Sequence, residues 1–328
     1  MAALTTIDWP TKLPVVQHGE HWIARAGERE VRLSNLPKVY WPKEGFTKGD
    51  LLTYYFNVSP TMLPHLECRP LTMKRMPNGV GGGFFYEKNA PKHTPDWMQT
   101  LPVPADSDTK IINYLTVTDA LEMLWIANLG AIEFHPLHAR GSDQSHPSYA
   151  FFDLDPAEGA GFEQARYVAS LVKVLLDRLE LRSYPKTSGA TGVQIMLPLD
   201  GTHTYDEVRG VVGAISELVH QADPSVTTLE WEVSKRTGKV FLDVNMNREG
   251  ANIAAAYSVR PEPNATVSTP FEWDELDTIE NRNIESIFER ITTVGDPFLP
   301  VAKGPGQSLR PAIEALGAKP RKARMVPR

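Results

Sequence analysis

The sequence predicts a mixed-sheet α/β (α+β) fold with two lobes, the N-terminal one smaller. Short apolar runs with strand period alternate with stripes of helical period, and the alternation lacks the even rhythm of a doubly wound parallel sheet. The 328 residues, 41% of them hydrophobic, suffice for one large or two modest cores. Taken in order, residues 21–24 and 30–33 read as short strands before the turn-rich Ser34-Asn35-Leu36-Pro37. Thr47 is the expected N-cap of a helix with Leu51, Leu52, Tyr55 and Val58 inside, limited by Pro60 and Pro64. Residues 76–83 hold too much Gly and Pro for regular structure and are expected to be a mobile loop delivering Phe84, Phe85 and Tyr86. A helix over 118–129 follows, with Gly130 as its stop.

The run Tyr149-Ala150-Phe151-Phe152 reads as a strand that ends in Asp153-Leu154-Asp155. A helix over 162–179 has the stripe Ala165, Val168, Leu171, Val172, Leu175 and Leu179. Strands over 182–187 and 193–199 flank the tight turn 188–192, and Thr204 with Glu207 makes a capping box for a helix ending near Gln221. A strand reaching Asp243 comes next, and residues 303–328, rich in Gly, Pro and basic side chains, read as a linker or disordered tail.

Charge is segregated. Residues 1–92 carry 12 Lys/Arg against 8 Asp/Glu, residues 93–309 carry 16 against 31, and residues 310–328 carry 6 against 1. Basic ends around an acidic middle suit a protein that grips phosphates with one part and metal with another; solvated faces that merely segregate are the plain alternative. The single cysteine, Cys68, excludes an internal disulfide and a cysteine-based zinc cage. No apolar stretch approaches the roughly 18 residues of a membrane span. The first eight residues lack the basic-then-apolar pattern of a leader, so a cytoplasmic protein is expected.

The chemistry is expected around the acids. Strand period puts Asp153 and Asp155 on one face while Phe152 and Leu154 point inward, and Asp243 shares a face with Phe241. Three such carboxylates form the hard-oxygen set of a Mg2+ or Mn2+ site acting on phosphates; an exposed strand end with solvated acids is the alternative for the pair alone. The turn Ser188-Gly189-Ala190-Thr191-Gly192 could present backbone N–H groups to an anion or be a ligand-free hairpin. Arg236 and Lys239 precede the Asp243 strand, Arg260 follows it, and His135 lies on a strand near the acids. Lys38, Lys48, Lys74 and Arg75 supply much of the N-terminal positive charge, beside which Phe85 and Tyr86 offer stacking faces.

Eight motifs in order turn these features into a resemblance: 38–42 (Lys-Val-Tyr-Trp-Pro), 74–79, Phe85-Tyr86-Glu87-Lys88, Glu133-Phe134-His135, 152–156, Thr187-Ser188-Gly189, 238–243 and Tyr257-Ser258-Val259-Arg260. The chain resembles, from about residue 30 to 300, the polymerase domain of bacterial DNA ligase D, a member of the archaeo-eukaryotic primase superfamily. The resemblance implies a primase-polymerase core over 1–302, with a DNA-end-binding part over about 1–115. It implies a nucleotidyltransferase that adds nucleotides, ribonucleotides preferentially, at broken or gapped DNA in non-homologous end joining. Asp153, Asp155 and Asp243 would hold two Mn2+ or Mg2+ ions. Lys74, Phe85, Tyr86, His135, Ser188, Gly189, Gln194, Arg236, Lys239 and Arg260 would meet the NTP or dNTP, and Lys38 and Lys48 the DNA 5′-phosphate. Ku and a separate DNA ligase are the implied partners, and nucleoid association the implied location.

Thr191 and Gln194 depart from the pattern, standing where many relatives carry Lys and His. That loss of two potential cations lends weight to one rival, a DNA-end-bridging module without turnover. The other rival is a haloacid-dehalogenase-type phosphatase with Asp153 as nucleophile, although Pro156-Ala157 replaces the Gly-Thr expected there.

Overall fold

The computed structural model describes residues 11–105 and 110–324; the N-terminal residues tested above for a leader pattern and the last four residues lie outside that range. The chain opens with an antiparallel meander of β1 (Val15–His18), β2 (His21–Ala26) and β3 (Arg29–Leu33), then a hairpin of β4 (Val39–Trp41) and β5 (Phe46–Thr47). Thr47 caps α1 (Lys48–Leu66) through a capping box with Asp50.

Pro60 and Pro64 do not end α1, as expected from sequence, but lie inside it. A proline at 60 leaves the Phe56 carbonyl without its usual N–H donor, and the Ser59 hydroxyl donates to that carbonyl at 2.7 Å instead.

The first sheet is antiparallel. Its path is β10 (Ala131–Pro136), β6 (Leu71–Arg75), β9 (Ile111–Leu115) and β8 (Thr100–Pro104), with β7 (Phe85–Glu87) also on β6. α2 (Ala120–Asn128) starts two residues later than expected, because Asp119 accepts from the Leu121 and Glu122 N–H groups and so is the cap. Gly130 ends it at φ 83°, where a Cβ would stand 2.9 Å from the Pro77 Cα. α1 and α2 enclose a core with Leu51, Tyr55, Met73 and Phe134, which residues 253–301 rejoin. β10 thus completes the sheet of the N-terminal part, and a late segment completes its core.

The second sheet runs β12 (Tyr184–Thr187), β13 (Val193–Pro198), β11 (Tyr149–Pro156), β15 (Val240–Leu242) and β14 (Thr227–Thr228), antiparallel except for β14 on β15. α3 (Phe162–Arg178) and α4 (Tyr205–Ala222) supply residues to its core. On α3 the fully buried positions are Ala165, Val168, Ala169, Val172 and Leu176, so the inner face is narrower than the expected stripe; Leu171, Leu175 and Leu179 only border it. After the short pair β16 (Thr266–Val267) and β17 (Arg282–Asn283) come α5 (Ile287–Val294), α6 (Leu299–Lys303) and α7 (Arg310–Leu316). The expected loose tail is thus structured as far as residue 324, with Leu309 and Ala312 buried in the second core.

Candidate active site

β11 pairs with β13 and β15, Phe152 and Leu154 enter the core, and Asp153 and Asp155 are left at the strand's end. Asp243 stands one residue past β15, not on it, and caps the short turn Val244–Met246. Its N–H donates to the Asp153 carbonyl at 3.1 Å, which draws the third acid to the other two. Loss of water around Asp153, then the Asp155 and Asp243 charges, push its carboxyl up to about 7 against the Gln194 hydrogen bond. Burial also raises Asp155, opposed by Arg236 and Arg260, and raises Asp243, opposed chiefly by the Asn245 N–H and Arg248. Among the described residues no three His, Cys, Asp or Glu side chains form a ready-made metal cage.

Beside the acids is a cation cluster organised by a residue to which the sequence reading gave no role. Glu133, 1% exposed, takes Lys74 Nζ on Oε1 at 2.6 Å and His135 Nε2 on Oε2 at 2.6 Å, with Arg260 Nε 3.2 Å from the same Oε2. Burial would raise this carboxyl, but the His135 hydrogen bond and the Arg260, His135 and Lys74 charges prevail and hold it at about 2. Register explains the meeting, since Lys74 on β6 is paired with Glu133 on β10. Tyr86 stands edge-on to His135 at 5.8 Å between centroids, Lys74 lies over Phe84 and Arg75 over Phe85. All three rings remain exposed.

Arg260 also donates to the Ser188 carbonyl at 2.5 Å, tying the 188–192 turn to the cluster. That turn is not an open nest. Ser188 Oγ accepts from the Ala190 and Gly192 N–H groups at 3.1 and 3.0 Å. Its glycines serve close approach instead: a Cβ on Gly189 would stand 2.6 Å from the Arg260 Cγ, and one on Gly192 2.6 Å from the Leu154 carbonyl oxygen.

Gln194 is buried and faces inward to Asp153, donating from Nε2 to Oδ1 at 3.0 Å, while its carbonyl accepts from Lys186. Lys186, fully buried, also donates to Ser268 Oγ at 2.6 Å and the Ala254 carbonyl at 3.1 Å; burial, then Arg260, lower its ammonium to about 7. The sequence reading missed this lysine. A five-residue turn between two strands puts 186 opposite 194, the observed pairing, so hairpin register could have found it.

Of the remaining candidates, Arg236 joins the site: its guanidinium lies 3.5 Å from the Phe241 ring centroid, on the residue paired with Asp155. Lys239 turns elsewhere, to the Pro224 carbonyl at 2.7 Å. Lys38 is exposed and donates to the Pro77 carbonyl at 2.7 Å and Asn78 Oδ1 at 2.9 Å, so the loop expected to be mobile is tied at its start. Lys48 is buried and donates to the Ser34 carbonyl and Asn128 Oδ1 at 2.9 and 2.7 Å; burial, then Lys38 and Arg75, lower it to about 8. The Lys48 N–H also bonds the Lys38 carbonyl at 2.8 Å, so the two stand together.

The phosphatase alternative fails on the fold, because the acid-bearing strand pairs antiparallel with both neighbours rather than lying in a doubly wound parallel sheet. Comparison with known proteins agrees. The family model of the LigD primase-polymerase domain matches residues 47–298. The chain is 32% identical over 275 residues to the multifunctional non-homologous end joining protein LigD of Mycolicibacterium smegmatis, covering 83% of this chain and 36% of that protein. It is 31% identical over 306 residues to the bifunctional non-homologous end joining protein LigD of Bacillus subtilis, covering 91% and 48%. The chain thus spans less than half the length of these curated relatives. The solved polymerase domain from Mycobacterium tuberculosis Ligase D in complex with DNA superposes with a TM-score of 0.79 at 32% identity, over 84% of this chain and 99% of that one. No helix among the described residues is long and apolar enough to cross a membrane. With most of its length matched by one family model, the chain belongs to the LigD primase-polymerase domain family.

Proposed function

We propose that the chain is a template-dependent nucleotidyltransferase that extends a primer 3′-hydroxyl at DNA ends or gaps during non-homologous end joining, with ribonucleotides preferred. The observation that carries this reading is the adjacency of three acids to the Glu133 cation cluster, joined by Arg260 and the Ser188 turn. One group receives metal and the other a triphosphate.

The acids suit divalent cations. A carboxyl held at about 7 by desolvation and like charges is one whose ionised form a cation would favour, and the donors are hard oxygens. Asp153, Asp155 and Asp243 would hold two Mn2+ or Mg2+ ions, which supply neutralisation of charge on the transferring phosphoryl. Gln194 orients Asp153, while Lys74, His135 and Arg260, fixed on Glu133, bind the triphosphate and favour release of pyrophosphate. Phe85 and Tyr86 are exposed faces for a base. Lys38 and Lys48 meet the downstream 5′-phosphate. Ku and a separate DNA ligase are the proposed partners.

Primer extension on gapped DNA, with ribo- or deoxyribonucleotides and Mn2+ or Mg2+, tests the proposal. Templated extension that chelation abolishes is expected; end binding without extension would favour the bridging module.

A further inference from the structure

Residues 299–324 lie beyond the span matched by the family model, yet Val301 is in the first core, residues 309–318 pack into the second, and the chain goes on to the turn after Asp243. After α7, the stretch 318–324 crosses α4 as a strap. Its seat is a pair of glycines within that helix, a poor residue for a helix interior. A Cβ on Gly210 would stand 2.3 Å from the Lys319 carbonyl oxygen, and one on Gly213 2.6 Å from an Arg321 guanidinium nitrogen. Hydrogen bonds fasten the strap there: the Arg321 N–H donates to the Asp206 carbonyl at 2.8 Å, Arg209 Nε donates to the Arg321 carbonyl at 2.8 Å, and the Arg321 side chain pairs with Glu217 at 3.0 Å.

Three residues on, the strap reaches the acids. The Arg324 N–H donates to Asn245 Oδ1 at 2.9 Å, and Asn245 Nδ2 donates back to the Arg324 carbonyl at 3.4 Å. The Asn245 N–H in turn donates to Asp243 Oδ1 at 3.0 Å. Arg209 bonds the Asn247 carbonyl at 2.9 Å, and the Asn247 amide makes a two-way pair with the Phe151 backbone on β11. One hydrogen-bonded path therefore runs from α4 through the strap to the third carboxylate.

We propose that residues 318–324 are a positioning element for Asp243: seated on Gly210 and Gly213, they hold Asn245, and Asn245 fixes the carboxylate that completes the acid triplet. This rests on the reading of Asp153, Asp155 and Asp243 as the metal-holding acids.

The test uses the full chain with Gly210→Ala/Gly213→Ala, whose methyl groups favour the helix while invading the seat, and separately with Asn245→Ala, which cuts the link and leaves the seat. Trypsin cleavage at Arg321 and Lys322 reads whether the strap is down. Mn2+ affinity by calorimetry, kcat, nucleotide KM and DNA-end Kd read the consequence. The glycine variant should be cleaved faster, and both variants should bind Mn2+ several-fold more weakly and lose about tenfold in kcat, with KM and DNA Kd within about twofold of the parent. A released strap with unchanged Mn2+ affinity overturns the proposal, as does a glycine variant whose strap stays protected. If the parent chain binds Mn2+ but extends no primer, the polymerase reading fails alone, and calorimetry still decides the role of the strap.

Discussion

Glu133→Gln is the most direct probe of the cation cluster, because glutamine imitates a protonated glutamate without changing its shape. Burial by itself would raise the carboxyl, yet the His135 hydrogen bond and the Arg260, His135 and Lys74 charges bring it from 4.5 to about 2. At roughly 1.4 kcal/mol per unit, that depression corresponds to about 3 kcal/mol favouring the charged form in the folded protein. With Glu133 at 1% exposure, solvent screening takes little from it. Because the folded value lies below the unfolded one, the stabilisation is complete above about pH 5 and fades as pH falls from 4.5 towards 2, leaving about 1.4 kcal/mol at pH 3. Urea denaturation of both proteins at pH 7 and pH 3 measures the gap. It should be about 3 kcal/mol at pH 7 and roughly half that at pH 3. Equal stabilities at pH 7, or a gap that does not narrow in acid, would refute the role of Glu133 as the charged anchor of Lys74, Arg260 and the His135 ring, whose own protonation burial disfavours. Nucleotide KM should rise in the variant as Lys74, His135 and Arg260 lose their common partner.

Other perturbations separate the remaining roles. Asp155→Asn and Asp243→Asn should each lower primer extension by about a hundredfold or more and abolish the Mn2+-induced rise in Tm, leaving DNA binding nearly intact; a variant with full activity excludes that acid. Lys38→Ala should weaken preference for phosphorylated ends in a binding titration and make its salt slope shallower by about one unit, whereas unchanged preference makes Lys38 a surface charge. Lys48→Ala should do the same and also destabilise the fold by about 1–3 kcal/mol, because the Ser34 carbonyl and Asn128 lose a buried donor. Gln194→His should leave nucleotide KM unchanged at pH 6 and pH 8, since this position faces Asp153 and Lys186; a KM that falls only at pH 6 would place it on the triphosphate. In Lys186→Met, wild-type stability should gain on the variant as pH rises from about 7 towards 10.5, because the folded ammonium lies below its unfolded value; denaturation at pH 7 and pH 9.5 with a constant gap would contradict it.

The elements that sequence displayed well are those whose signals are local. Thr47 and Thr204 bond groups three residues away, and the pattern around Asp153 spans one strand, so capping and period-two arguments found them. Pro60 misled because its consequence depends on a side chain, Ser59, whose rotamer no propensity reveals. The tail misled in another way. Gly and Pro with basic residues read as disorder when taken alone, but Gly210 and Gly213, more than a hundred residues earlier, are shaped to receive them.

The candidate site divides along the same line. Lys74, His135, Ser188 and Arg260 were visible as residue types in motifs, yet nothing local shows that one buried carboxylate, Glu133, collects two cations and an imidazole; that follows from the pairing of β10 with β6 and from a return of the chain at Arg260. Gln194 makes the argument sharpest. Seen in a line of letters it is a missing cation, and weaker phosphate binding follows. Seen in register it stands opposite Lys186, accepts from that buried ammonium and passes a hydrogen bond to Asp153. The amine is one strand away and out of reach of solvent, so the substitution alters how the first acid is held rather than what charge faces the substrate.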